Sequence, residues 1–424
     1  MIKRVLKTSL TVNILICFIL GIVFGFVALH FQWNDFVILW IYPFGELFLK
    51  LLKFIAIPIV FISVIGGVIN VGNIRGFKSL AYTSFITFLF TTVLAIMIGL
   101  FLVKTFNPGK HMDEEAIASI SADDLSSYVD IEQSENRNMD LNSIIEDLVP
   151  ENFFRAAADN TKVLQIIFVA IFFGLIIISL PQNKTQTVRN FLTELNTIVI
   201  KYVEWVMKIA PLGVFALIVG MMVKFGGNLS VAKALGVYIL LVASGLAYLI
   251  FIQYPIFARI FSGVPILKFF KAIYPAQLLA FSSSSSAVTL PVTQRQVENG
   301  LGVSPKVSGF VLPLGATVNM DGTSLYQTIG VLFIAQIFGI DLSFSQLLMF
   351  VFIIVLSSIG TPSIPGGSIV VLVFILNSFG IPAEGLVLIL GVDRPLDMLR
   401  TVANVTGDAF VCTVVDKRQK KIEV

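Results

Sequence analysis

Six polar side chains, Asp393, Asp397, Arg400, Thr401, Asn404 and Asp408, follow one another at steps of 4, 3, 1, 3 and 4 in an otherwise apolar stretch. At about 100° of rotation per helical residue, that spacing gathers all six into a stripe roughly 100° wide. A solvated amphipathic helix would fill such a stripe with lysines and glutamates. This one sets a single arginine among carboxylates and amides. A guanidinium recognises a carboxylate through two parallel hydrogen bonds, and Asp397, one turn away, can take an ammonium group. Together they describe a site for a zwitterion carrying an extra carboxylate. The plainer alternative is an internal Asp397–Arg400 ion pair that holds helices together.

A second polar cluster, Gly315-Ala316-Thr317-Val318-Asn319-Met320-Asp321-Gly322-Thr323-Ser324, lies between the apolar runs Phe310-Val311-Leu312 and Ile329-Gly330-Val331-Leu332-Phe333. A carboxylate at the centre of a bilayer costs roughly 3 kcal/mol even on lenient insertion scales, so Asp321 there implies function. On a regular helix Asn319 and Asp321 would point about 200° apart. Gly315 and Gly322 permit local unwinding, which would bring their oxygens together with freed carbonyls. Oxygen-only ligands of this kind suit a hard monovalent cation. The competing structural role for Asp321 is a pairing with a buried base.

Such residues need elements that hold them at membrane depth, and the composition supplies them. Of the 424 residues, 56% are hydrophobic and 13% charged, about half the charged share of a soluble domain. At about 20 apolar residues per crossing, spans are expected near 10–31, 42–71, 79–105, 161–181, 192–224, 231–258, 307–338 and 386–415. The fold class is thus an all-α membrane protein in one unit, 1–424. Three helices fall in 10–105 and three in 161–258. The apolar stretches 272–296 and 348–381 are interrupted, by Ser282 to Ser286 in one and by Ser357 to Ser368, rich in Gly and Pro, in the other. Irregular backbone at membrane depth survives only inside protein or beside a watery cavity. Both stretches are therefore read as re-entrant hairpins whose tips meet inside.

Lys and Arg collect at the start (Lys3, Arg4, Lys7), after alternate spans (Arg75, Lys78, Lys184, Arg189, Arg259, Lys268, Lys271) and at the end (Lys417, Arg418, Lys420, Lys421). By the positive-inside rule both termini are cytoplasmic in a multi-pass inner (plasma) membrane protein, and the acidic segment 110–160 lies outside. The net charge of +3 is small and dispersed, which argues against nucleic-acid binding. Cys17 and Cys412 have no Cys or His neighbours and read as packing residues.

These motifs resemble the dicarboxylate and amino acid:cation symporters, a family that includes archaeal aspartate transporters and excitatory glutamate transporters. The resemblance runs from Phe48-Leu49-Lys50-Leu51-Leu52-Lys53 through Pro58-Ile59-Val60-Phe61, Phe106-Asn107-Pro108-Gly109 and Ala210-Pro211-Leu212-Gly213 to four specific motifs. These are the serine-rich hairpin ending Thr289-Leu290-Pro291-Val292-Thr293, Asn319-Met320-Asp321-Gly322-Thr323, the Pro-Gly hairpin, and Asp397 to Asp408. It implies eight transmembrane helices plus two re-entrant hairpins in a homotrimer. The second, fourth and fifth spans would be a fixed scaffold, past which the hairpins and last two spans move as an elevator.

It also implies roles. Arg400 and Thr323 would hold the side-chain carboxylate, Asp397 and the Ile364 carbonyl the α-amino group, and Ser286 with Asn404 the α-carboxylate. Ser284, Ser285 and Thr401 belong to the same substrate face. Co-transported sodium ions would lie at Gly315, Asn319, Asn404 and Asp408, at backbone oxygens of Thr317, Ser358, Ile359 and Thr361, and at Thr91, Thr92, Asn319 and Asp321. Phe88 replaces a Tyr common in the family at the last of these. Ser284 and Met398 stand where many relatives have an additional Arg, which argues against potassium counter-transport. Ser368 replaces a Gly near the substrate.

The expected function is sodium-coupled import of glutamate or aspartate. A C4-dicarboxylate or proton-coupled symporter of the same fold is the alternative, although Asp397 has no ammonium to meet in a plain dicarboxylate. For an intramembrane enzyme using Asp321 and Asp408 as a catalytic pair, no His or Cys supports a nucleophilic mechanism, since His30 and His111 lie outside the polar clusters, and neither Asp lies in a recognised protease motif. For a pure channel, an Arg–Asp amino-acid site is superfluous.

Overall fold

A computed structural model of the protein describes residues 10–72, 78–112, 149–158, 163–224, 229–361 and 367–422. Helix α1 is Leu10–His30, α2 Tyr42–Gly72, α3 Lys78–Phe106, α4 Val163–Ser179 and α5 Gln182–Lys224. Helix α6, Leu229–Tyr248, runs on through π-helical turns at Leu249–Gln253 and Ala258–Ser262. Next come α7 Ile266–Ser283, α8 Ser286–Gln296, α9 Pro305–Val318 and α10 Asp321–Ile337. The chain finishes with α11 Phe344–Gly360, α12 Gly367–Ser378 and α13 Leu386–Ile422. Five helical stretches among the described residues are long and apolar enough to cross a membrane: Val12–His30, Leu80–His111, Gln182–Gly220, Lys233–Ser262 and Val392–Lys420. Most of the acidic segment 110–160, and Lys3, Arg4, Lys7 and Arg75, lie outside the described residues.

Two groups of helices emerge from the packing. Helix α5 lies against α1 and α2, and α2 also carries α4. The approach is close: a Cβ on Gly213 of α5 would meet the ring of Phe48 on α2. The other group centres on α10, where every residue from Asp321 to Ile337 except Gln336 is buried. Helices α3, α6 and α13 pack around it, and α7, α8 and α9 pack on α13. The Phe106-Asn107-Pro108-Gly109 turn locks the far end of α10. Asn107 adopts a left-handed φ of 42°, Gly109 N donates to Gln336 Oε1 at 3.0 Å, and Gln336 Nε2 donates to Asn107 Oδ1 at 3.3 Å. A side chain on Gly109 would strike the α10 backbone at Phe333 and Ile337. Helices α11 and α12 bridge the groups by packing on α2 and α10.

Serines close the first hairpin because their hydroxyls replace backbone partners lost at a helix break. Ser284 ends α7 with φ 50°, and Ser285 turns extended and caps α8 by accepting from Val288 N at 3.4 Å. Ser283 Oγ donates to Ser285 O at 3.3 Å, and Thr289 Oγ1 to the same carbonyl at 2.8 Å. Helix α7 begins at Ile266, before the expected 272, because Pro265 opens the helix and the polar Lys268 and Lys271 sit within it.

Candidate functional site

Helix α13 carries a charge cluster at its buried start. Arg400 is 1% exposed, and its Nη2 lies 2.8 Å from Asp397 Oδ1 and 3.0 Å from Asp393 Oδ1. Its guanidinium sits 3.8 Å above the Tyr326 ring of α10, a cation–π contact that restricts its tilt. Nε and Nη1 of Arg400 have no hydrogen-bond partner. Unpaired buried donors are costly, and a carboxylate is the group that satisfies a guanidinium best. The Asp397–Arg400 pair weighed in the sequence thus exists, yet it leaves part of the guanidinium unused.

One expectation fails here. Arg400 is not the single arginine of the stripe, because Arg394 is also buried and its Nη1 donates to Asp397 Oδ2 at 3.0 Å. The signal was present, since residue 394 stands three before Asp397 and so shares its face.

The break between α9 and α10 falls at Asn319 and Met320, whose ψ angles of 96° and 55° leave the helical region. Polar side chains from α3, α6 and α13 meet the residues of the break. Asn319 Nδ2 donates to Asp408 Oδ1 at 3.0 Å, and Thr91 Oγ1 lies 3.5 Å from Asn319 Oδ1. Asp321 accepts from Thr92 Oγ1 at 2.7 Å and from Tyr254 Oη at 2.8 Å. Among the described residues neither Asp321 nor Asp408 has a cationic side-chain partner, so a buried base for Asp321 is not found. A Cβ on Gly315 would strike Asp408 and the Phe88 ring, so glycine there lets α9 and α13 approach.

Tyr254 is the residue that sequence reasoning missed. It lies between the two π-helical turns of α6, features common at functional sites. The polar pair Gln253-Tyr254 before Pro255 inside an apolar run was the available signal.

Asn404 joins α13 to the start of α10. Its Oδ1 accepts from Gly322 N at 2.8 Å and its Nδ2 donates to Thr323 Oγ1 at 3.3 Å. It therefore stands beside Thr323, and Asn319 is the amide bonded to Asp408. Ser284, Ser285 and Ser286 are all buried, on a hairpin that packs against α13. Thr401, also buried, donates its hydroxyl to Asp397 O at 2.8 Å. The hydroxyls of Thr317, Ser358 and Thr361 bond back to carbonyls of their own helical turns, at 2.9, 2.8 and 2.8 Å. Ser358, Ile359 and Thr361 stand at the C-terminal end of α11, where carbonyls lack intrahelical partners. Ile364 lies outside the described residues.

A buried Asp–Arg cluster beside a broken, carboxylate-bearing helix pair is the arrangement that known proteins can be compared with. Residues 10–418 match the model of the sodium:dicarboxylate symporter family. This chain belongs to that family. It is 37% identical over 417 residues to the proton/sodium-glutamate symport protein of Bacillus subtilis, covering 98% of this chain and 94% of that one. Against the proton/glutamate-aspartate symporter of Escherichia coli it is 33% identical, over 99% and 94% of the two chains. Against an excitatory amino acid transporter of Caenorhabditis elegans it is 30% identical, over 98% and 88%. Membership makes the chain a multi-pass membrane symporter and not an enzyme.

Proposed function

We propose that this symporter imports glutamate or aspartate together with sodium ions. The observation that carries the reading is the buried Arg400, whose Nη2 is paired with Asp397 at 2.8 Å while its Nε and Nη1 have no partner, beside an Asp397 able to take an ammonium. Arg400 and Thr323 bind the side-chain carboxylate, Asp397 and the Ile364 carbonyl the ammonium, and Ser286 with Asn404 the α-carboxylate. Ser284, Ser285 and Thr401 complete the pocket. The names of the relatives support an acidic amino acid, since they are glutamate, glutamate-aspartate and excitatory amino acid carriers.

Sodium is the proposed driving ion because the buried Asp321 and Asp408 have hydroxyl and amide partners, Thr92, Tyr254 and Asn319, and no cationic side chain against them among the described residues. Such oxygen ligands suit a hard cation, and two uncompensated carboxylates at membrane depth call for positive charge. Asn319, Asn404, Asp408 and Gly315 form one ion site; Thr91, Thr92, Asn319 and Asp321 another; and the carbonyls of Thr317, Ser358, Ile359 and Thr361 a third.

The chain is placed in the inner (plasma) membrane with both termini cytoplasmic, as eight crossings (10–31, 42–71, 79–105, 161–181, 192–224, 231–258, 307–338, 386–415). Re-entrant hairpins occupy 272–296 and 348–381, and the 110–160 loop lies outside. Transport runs as an elevator in a homotrimer. The packing of α1, α2, α4 and α5 on one another, and of α3, α6 and α13 around α10, supports a moving body against a scaffold. A scaffold seam is supported by Phe191, Ile198, Trp205 and Leu212, exposed apolar residues spaced seven apart along α5.

Asp397→Asn tests the amino-acid reading. Losing a charge-assisted bond worth roughly 1.5–3 kcal/mol should weaken aspartate and glutamate binding about ten- to hundredfold. Competition against radiolabelled aspartate measures it. A parent protein that prefers succinate, with affinity untouched by the substitution, would transfer the function to C4-dicarboxylates.

A further inference from the structure

We propose that Arg394 is a positioning residue for the substrate's ammonium group, acting through Asp397. The inference rests on the acidic amino-acid reading above. Arg394 and Arg400 grip the Asp397 carboxylate from opposite oxygens, Nη1 of Arg394 at 3.0 Å from Oδ2 and Nη2 of Arg400 at 2.8 Å from Oδ1. The side chains of Arg394 and Asp397 are only 9% and 10% exposed, so water screens this pair little. An ionised carboxylate offers about four lone-pair directions. The two guanidinium bonds fall on different oxygens, so neither oxygen is claimed by both arginines.

The charge count gives Arg394 a second task. Asp393 and Asp397 are matched by Arg394 and Arg400, so the cluster is formally neutral. Without Arg394 it carries one excess negative charge, and an acidic amino acid, itself a net anion, would enter against that charge. When the substrate's carboxylate engages Arg400, the hold of Arg400 on Asp397 is shared. Arg394 then keeps Asp397 oriented toward the ammonium. A purely structural ion pair pinning one turn of α13 is the competing role, and it makes a different prediction, because packing depends on bulk and this mechanism depends on charge.

The experiment is calorimetric titration of aspartate into the purified full-length protein in sodium buffer, for the parent, Arg394→Ala, Arg394→Met and Arg394→Lys, with thermal unfolding of each followed in parallel. Ala and Met should both raise the aspartate Kd tenfold or more, and Lys should stay within about threefold of the parent. If the alanine variant does not fold, the Met and Lys pair decides alone, since both fill the site and differ in charge. Parent-like binding by Arg394→Met, or binding by Arg394→Lys as weak as by Met, overturns the proposal. Absence of aspartate and glutamate binding in the parent overturns instead the transport reading on which it rests.

Discussion

Arg400→Cys is expected to lose glutamate and aspartate by two to three orders of magnitude while keeping measurable affinity for small neutral amino acids. The size follows from the burial of the guanidinium. Truncating one partner of a buried, hydrogen-bonded charge pair costs about 3–5 kcal/mol, and Arg400 is paired to Asp393 and Asp397 and stacked on Tyr326. Asp397 retains Arg394 in the variant and can still take an ammonium. The loss should therefore fall on substrates that carry a second carboxylate. Binding of aspartate, glutamate, serine and cysteine to the purified variant measures the selectivity. Unaltered affinity for the acidic pair would remove Arg400 from the substrate site.

The second large effect is expected at the ion sites. Asp321 holds two hydroxyl donors, Thr92 and Tyr254, and Asp408 holds the Asn319 amide. Those bonds orient the carboxylates without neutralising them, so on the proposed reading a bound cation would supply the missing charge. The same cation would draw together the α9–α10 break and α13, which the proposal also assigns to the substrate pocket. Ion and substrate must then raise each other's affinity by equal factors. Asp321→Asn and Asp408→Asn should each weaken the sodium dependence of aspartate binding by tenfold or more, read from aspartate titrations across sodium concentrations with choline as replacement. An unchanged sodium dependence in both variants would favour protons as the driving ion.

The parts of this account legible in the sequence were those with a physical period or an expensive residue. The α13 stripe could be read because its polar positions recur at helical spacing, and Asp321 because a carboxylate is conspicuous between apolar runs. The serine run could be read as a break because hydrocarbon tolerates no unpaired backbone. Tyr254 was hidden, since a tyrosine in an apolar helix is usually core and its partner Asp321 lies 67 residues away. Arg394 was hidden by the choice of stripe edge. The helix begins bearing charge at Asp393, and a one-residue shift of that edge decides whether Arg394 is counted inside. That Asn319 donates to Asp408 depends on how the backbone unwinds between α9 and α10, which no periodicity encodes.

Uptake of radiolabelled aspartate into sealed proteoliposomes containing the purified protein, with and without an inward sodium gradient at equal pH on both sides, tests the central claim most directly. The account predicts accumulation above equilibrium with the sodium gradient, collapse when choline replaces sodium, and competition by unlabelled glutamate. Accumulation that ignores sodium and follows an imposed proton gradient, or uptake of succinate in place of aspartate, would contradict it.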